Sequence, residues 1–264
     1  MIARLFERIQ ELFLLDRVNM QLMLDDFEHT IDTLLDMGLD AWEISRRLDI
    51  THMIPFYSGQ YAGSWYALDR SAKLYPLQMT NEEMSVFRIS IYLDVDIVPE
   101  LLQMALNRII VRFPIFCTTI KNGFFWHYMN GTLKRFSVGE EDMRPCAPLD
   151  LSQRLSQSFR VLYYKNRIAV ECFHILTDGN GATVFLKTLA AEYLRLLGNQ
   201  VENEEGVLDI NEHADPQELE DTMQQTEQAP SRAGDFSKQS PQLEGRGTRV
   251  RPHQIIHFQM SVEE

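Results

Sequence analysis

Cysteine is scarce in this chain of 264 residues: Cys117, Cys146 and Cys172 are the only three. Three scattered thiols build neither a disulfide framework nor a thiolate zinc site, so a reducing, cytoplasmic setting is expected. Long apolar runs are missing as well. No stretch approaches the roughly 18 uninterrupted apolar residues of a membrane-spanning helix, so no membrane span is expected. The opening residues, MIARLFERIQELFLLDRVNMQ, have no basic start, no long apolar run and no small-residue cleavage site. A signal peptide is therefore not expected. Basic charge is also in short supply, with 25 Lys and Arg against 38 Asp and Glu, a net charge of −13. Without a basic stripe to displace counterions, a nucleic-acid partner is excluded.

What is present is an ordinary apolar share, 45%, enough for a sizeable core. The acidity is local. Residues 1–50 carry 5 basic and 11 acidic side chains, and residues 201–235 carry 1 and 11, which leaves the rest at +3. The runs RLFERIQELFLL and FEHTIDTLLDMG space their apolar residues three and four apart, and Gly38 follows like a helix C-cap. Residues 1–50 thus read as a helical extension. GLDAWEISRRLDI (38–50) resembles the first helix of a helix-turn-helix unit, but no basic recognition helix follows, and a third amphipathic helix is the simpler reading. Pro55, Gly59 and Gly63 mark 51–63 as a linker.

From residue 64 the texture becomes mixed α and β. VFRISIYLDV (86–95) alternates, with Phe87, Ile89, Ile91, Leu93 and Val95 on one face of a half-buried strand. Pro99 suits the first position of a helix whose stripe is Leu102, Ala105, Leu106 and Ile109. Asn122-Gly123 signals a hairpin, with Phe124, Phe125 and Trp126 as its core. RPCAPLDLS reads as a proline-bounded loop, and FRVLYYKNRIAVECFH as a second hairpin turning at Lys165-Asn166. A helix is expected from about Ala182 to Leu197. Residues 199–245 are acidic, rich in Gln, Pro, Ser and Gly, and read as a flexible linker. Residues 246–264 return to strand-like texture.

The chemistry concentrates in FHILTDGNGATVFLKTL (173–189). His174 sits where a strand gives way to a helix, and Asp178 and Gly179 follow in a tight turn. Asp178 can hydrogen-bond locally or accept an ion pair; Gly179 and Gly181 tolerate left-handed dihedrals and leave room for a ligand or another backbone. An imidazole held in one tautomer is a good general base toward a hydroxyl, amine or thiol. No Ser or Cys nucleophile with a matching partner stands nearby, so such a base acts on a substrate. The plainer reading is a satisfied histidine at a strand end. Cys172 and His174 alone make too few ligands for zinc, so no metal site is expected. His127 falls on a hairpin face, and His52, His253 and His257 have no evident partners.

His174-x-x-x-Asp178-Gly179 resembles the HxxxDG signature of the chloramphenicol acetyltransferase-like superfamily. The closest resemblance is to bacterial alcohol acetyltransferase-like proteins. It is carried further by WYALDRSAKLYP (65–76), RFPIFCTTIKNGFFWHYM (112–129), RPCAPLDL (144–151) and FRVLYYKNRIAVECFHILTDGNGATVFLKTLAAEYLRL (159–196). The resemblance implies an α+β fold: one lobe, 64–198, of a two-layer sandwich with a mixed sheet and helices on one face. It implies acyl transfer from acyl-coenzyme A, a co-substrate rather than a bound cofactor, to a small alcohol or amine. His174 is then the general base, and Asp178 keeps the loop in shape, typically by pairing with an arginine. Phe173 replaces the second histidine that peptide-synthetase condensation domains carry.

Such enzymes place their tunnel between two lobes. The resemblance covers one lobe, 64–198, and more loosely the start of a second, 246–264; the DFGWG-like motif of the second lobe is absent. A site completed by a second-lobe chain or a homo-oligomer is one expectation. A non-catalytic half-fold that docks other proteins through an unpaired edge is the alternative.

Overall fold

The structure, a computed structural model, describes residues 2–60, 64–69, 72–79, 84–122, 127–141, 144–151, 157–202, 204–215 and 218. It opens with α1 (Ile2–Leu12), α2 (Arg17–Asp36) and α3 (Ala41–Arg47), and a short α4 (Tyr75–Gln78) follows before the four-stranded sheet begins. Aspartates start the second and third of these. Asp16 accepts from the Asn19 amide, and Asp40 from the amides of Trp42 and Glu43, satisfying helix-end donors that lack partners of their own. Gly38, at φ +88°, ends α2 as expected. The Leu39 amide reaches back to the Leu34 carbonyl at 3.1 Å, a closure that needs the left-handed residue before it.

The body contains two sheets. In the four-stranded one the order is β2 (Val86–Tyr92), β7 (Arg167–Phe173), β6 (Phe159–Tyr164) and β5 (Val138–Glu140). β2, β7 and β6 are antiparallel neighbours, while β5 runs parallel to β6, so the sheet is mixed. The three-stranded sheet orders β1 (Trp65–Ala67), β4 (His127–Gly131) and β3 (Thr118–Asn122), all antiparallel. α5 (Pro99–Ile109) and α6 (Gly179–Leu197) pack on one another; α6 also lies on β2 and β7, and α5 touches β5. The fold class is α+β, as expected.

Local signals translate directly. Lys165, at φ +50°, and Asn166 form the two-residue turn between β6 and β7. Pro99 opens α5 and Gly198, at φ +102°, closes α6. The expected hairpin at 122–123 is present as the β3–β4 pair; Gly123, Phe124, Phe125 and Trp126 lie outside the described residues. The strand expected over 86–95 stops at Tyr92. Leu93 turns to bond Asn166 through its amide, and Val95 is exposed rather than on the core face.

Two readings from composition meet packed structure. Residues 51–60, read as linker, form helical turns that bury Met53, Phe56 and Tyr57 in the core shared by α2, α5 and α6. Residues 204–215, read as part of a flexible linker, lie along α6, with Ile210 buried and the Leu208 amide bonded to Thr188 Oγ1 at 3.0 Å. Residues 246–264 lie outside the described residues.

α5 departs from its expected stripe, because residues 101–109 are buried on every side. Its polar side chains survive there by being paired. Gln103 donates to Asn107 Oδ1 and to the Phe136 carbonyl, and Asn107 donates to Asp26 of α2. Arg135 clamps the same Asp26 with two hydrogen bonds. Buried polar groups are tolerated when their hydrogen bonds are made. Through this network α2 is locked to the body.

Candidate functional site

His174 follows the last residue of β7, and the chain there is gripped from both sides. Its amide donates to the Ser85 carbonyl at 2.9 Å, and the preceding Phe173 amide donates to the Ser158 carbonyl at 2.9 Å. The half-buried imidazole stacks on Tyr75, with ring centroids 4.6 Å apart and planes 13° from parallel. Phe87 of β2 closes on it at 5.0 Å and 53°. Each such contact contributes about 0.5–1.5 kcal/mol and removes ring freedom. Among the described residues, neither ring nitrogen has a hydrogen-bond partner. The ring is thus fixed by its faces while its proton-carrying atoms stay uncommitted.

The turn that follows is a helix start. Asp178 is the N-cap of α6, and its Oδ1 accepts from the Gly181 amide at 2.9 Å. The arginine partner that the resemblance implies for Asp178 is not found among the described residues; the exposed carboxylate orients the loop by capping instead. Gly179 and Gly181 do not use left-handed dihedrals. A Cβ on Gly179 would meet open space, whereas one on Gly181 would fall 2.1 Å from Thr177 Oγ1. A side chain at 181 would force the Thr177 hydroxyl to move. Gly179 leaves the rim beside His174 uncovered.

Tyr75 and Phe87 are the site residues that sequence reasoning missed. Both lie in stretches already recognised, but nothing local shows that an aromatic so far upstream lands on His174. Cys172 and His174 do not form a metal site: among the described residues no group of three or more His, Cys, Asp or Glu side chains is placed to hold an ion. Nor do the thiols offer a nucleophile. Burial pushes the Cys172 thiol up to about 12 and lifts those of Cys117 and Cys146 above their usual range. Two cavities lined by described residues lie elsewhere. One, of about 650 Å³, is at the C-terminal end of α6; the other, of about 210 Å³, lies beside Asp26 and Tyr163.

Of the remaining histidines, His29 and His213 are exposed. His127 opens β4 opposite Asn122. His52 does have a partner: its Nε2 donates to the Arg108 carbonyl at 3.2 Å, and burial pushes its pKa down to about 4. The unfolded chain then binds a proton near pH 6.5 that the folded chain refuses until about pH 4. Stability is therefore expected to fall as pH drops through that window, by on the order of 3 kcal/mol. Urea titrations at pH 7 and pH 4.5 check this, with His52→Gln expected to flatten the dependence. His253 and His257 lie outside the described residues.

No family model matches the sequence, and no curated protein matches it. Among solved structures the likeness is to a starter condensation domain, an epimerization domain and a polyketide synthase associated protein. The first is the starter condensation domain of rhizomide synthetase RzmA: 14% identity, TM-score 0.44, 53% of this chain and 40% of that one. The second, from the third module of tyrocidine synthetase B, has 15% identity, TM-score 0.43, and covers 56% of this chain and 38% of that one. The third, polyketide synthase associated protein 5 from Mycobacterium tuberculosis, has 13% identity, TM-score 0.39, and covers 52% and 35%. The chain therefore spans no more than about two fifths of these neighbours. At this identity and TM-score the likeness defines neither family nor function.

Proposed function

We propose that this chain takes part in acyl transfer, moving an acyl group from acyl-coenzyme A to a small alcohol or amine, with His174 as general base. One observation carries the reading. In the HxxxDG stretch, the histidine ring is held by Tyr75 and Phe87 while both nitrogens lack partners among the described residues. An imidazole nitrogen accepts the proton of the acceptor O–H or N–H as that oxygen or nitrogen attacks the thioester carbonyl carbon. The C–S bond then breaks, and the departing thiolate takes the proton back from the imidazolium. Asp178 keeps the loop in place as the α6 cap, and Gly179 keeps the rim open. Phe173 is fully buried and presents nothing to a substrate, so one histidine does the work. The facing wall of the cleft, on this reading, comes from a second lobe or subunit.

The test supplies acyl-coenzyme A with a panel of small alcohols and amines and follows free thiol together with ester or amide product. Acceptor-dependent thiol release with matching product supports the reading. Hydrolysis alone, or no release with any acceptor, overturns it and favours a docking module.

A further inference from the structure

We infer that residues 204–215 are a latched strap, held shut by one ion pair, that forms a wall of the polar cavity at the far end of α6. The cavity, about 650 Å³, is lined on one side by Glu43, Arg46 and Arg47 of α3 and on the other by Asp209, Ile210 and Asn211 of the strap. Its floor is the buried pair Arg108–Glu192, 2.6 Å apart. At about 1.5 Å per residue, α6 separates this end from His174 by about 30 Å, so the cavity is distinct from the candidate acyl-transfer site.

The strap is held along its length by light contacts. Lys187 Nζ donates to the Glu205 carbonyl at 3.2 Å, and Thr188 Oγ1 accepts from the Leu208 amide. Ile210 is its one buried apolar side chain among the described residues, with Leu208 partly buried beside it. So little apolar burial cannot by itself offset the ordering of a dozen residues, which costs roughly 1–2 kcal/mol of backbone entropy each. The strong contact is made by Glu218, which is tied to the end of the strap by its amide donating to the Asp215 carbonyl at 2.9 Å and its carboxylate accepting from the Asp215 amide at 3.3 Å. Glu218 accepts two hydrogen bonds from Arg112, at 2.8 and 2.7 Å, and Arg112 is 5% exposed while Glu218 is 42% exposed. Arg112 in turn holds the Glu218 carboxyl below its usual range, and Asp209 and Glu212 add negative charge around the same guanidinium.

The asymmetry in exposure makes the pair a latch. A freed Glu218 is readily hydrated, but Arg112 left behind is a buried charge without its partner, and it is relieved only when water enters where the strap lay. Breaking the pair therefore loosens the strap and opens the cavity wall, while the His174 loop, about 30 Å away at the other end of α6, stays as it is.

Amide hydrogen exchange on the full chain tests this with Glu218→Gln and, separately, Arg112→Gln. The expected result is exchange at Leu208 about ten-fold faster, with protection in β7 unchanged. Unchanged exchange at Leu208 in both variants overturns the latch. Protection lost equally in β7 and the strap in both variants also overturns it, because the pair would then hold the whole body rather than one strap.

Discussion

Replacing His174 by alanine is expected to slow acceptor-dependent thiol release by about 10²–10⁴-fold, the usual contribution of a positioned general base. The side chain is half-buried and its ring nitrogens support no other described group, so the fold should survive. The loss then reads on the chemistry. Truncating Tyr75 should act differently. Tyr75→Phe keeps the stacked ring and should retain most activity, whereas Tyr75→Ala frees the imidazole and should lower the rate by less than His174→Ala does. Measuring rates for the three variants separates loss of the base from loss of its grip. Equal rates for wild type and His174→Ala would leave His174 as a strand-end histidine and nothing more.

The second large effect concerns stability. Glu192→Ala removes the carboxylate from Arg108, whose guanidinium is nearly buried and, among the described residues, keeps only the Asp49 carbonyl as a hydrogen-bond acceptor. Leaving a buried charge uncompensated is expected to cost about 3–5 kcal/mol. Removing both charges in an Arg108→Met, Glu192→Leu double variant should recover most of that loss, since apolar side chains of similar size pay no desolvation penalty. By contrast, the Arg46–Glu43 pair faces solvent on α3, and Arg46→Ala should not shift the transition measurably. Urea unfolding of the three variants gives the comparison. A Glu192→Ala protein as stable as wild type would mean that water reaches Arg108.

What could be read from the sequence was local. Pro99, Gly38 and Lys165-Asn166 all act within a few residues, and each produced the helix end or turn its chemistry requires. What could not be read depends on distant partners. α5 looked amphipathic because only its apolar residues were counted; Gln103, Asn107 and Arg108 are buried because Phe136, Asp26 and Glu192 satisfy them from other elements. The acidic stretch after Gln200 looked unable to pack, yet Ile210 and the Arg112–Glu218 pair lay part of it on the body. The same holds for the site. Its histidine, its capping aspartate and its open rim are visible in six consecutive residues, while the tyrosine that fixes the ring is a contact between remote parts of the chain.

On the proposed reading the His174 imidazole is clasped by its faces yet chemically available at its nitrogens. Carbethoxylation with diethyl pyrocarbonate probes that ring directly, with peptide mass mapping to locate the modified histidine and thiol release followed alongside. His174 is expected to be modified, acyl transfer to decline in step, and neutral hydroxylamine to restore both. A His174 that stays unmodified while other histidines react, or one that is modified with acyl transfer intact, would contradict it.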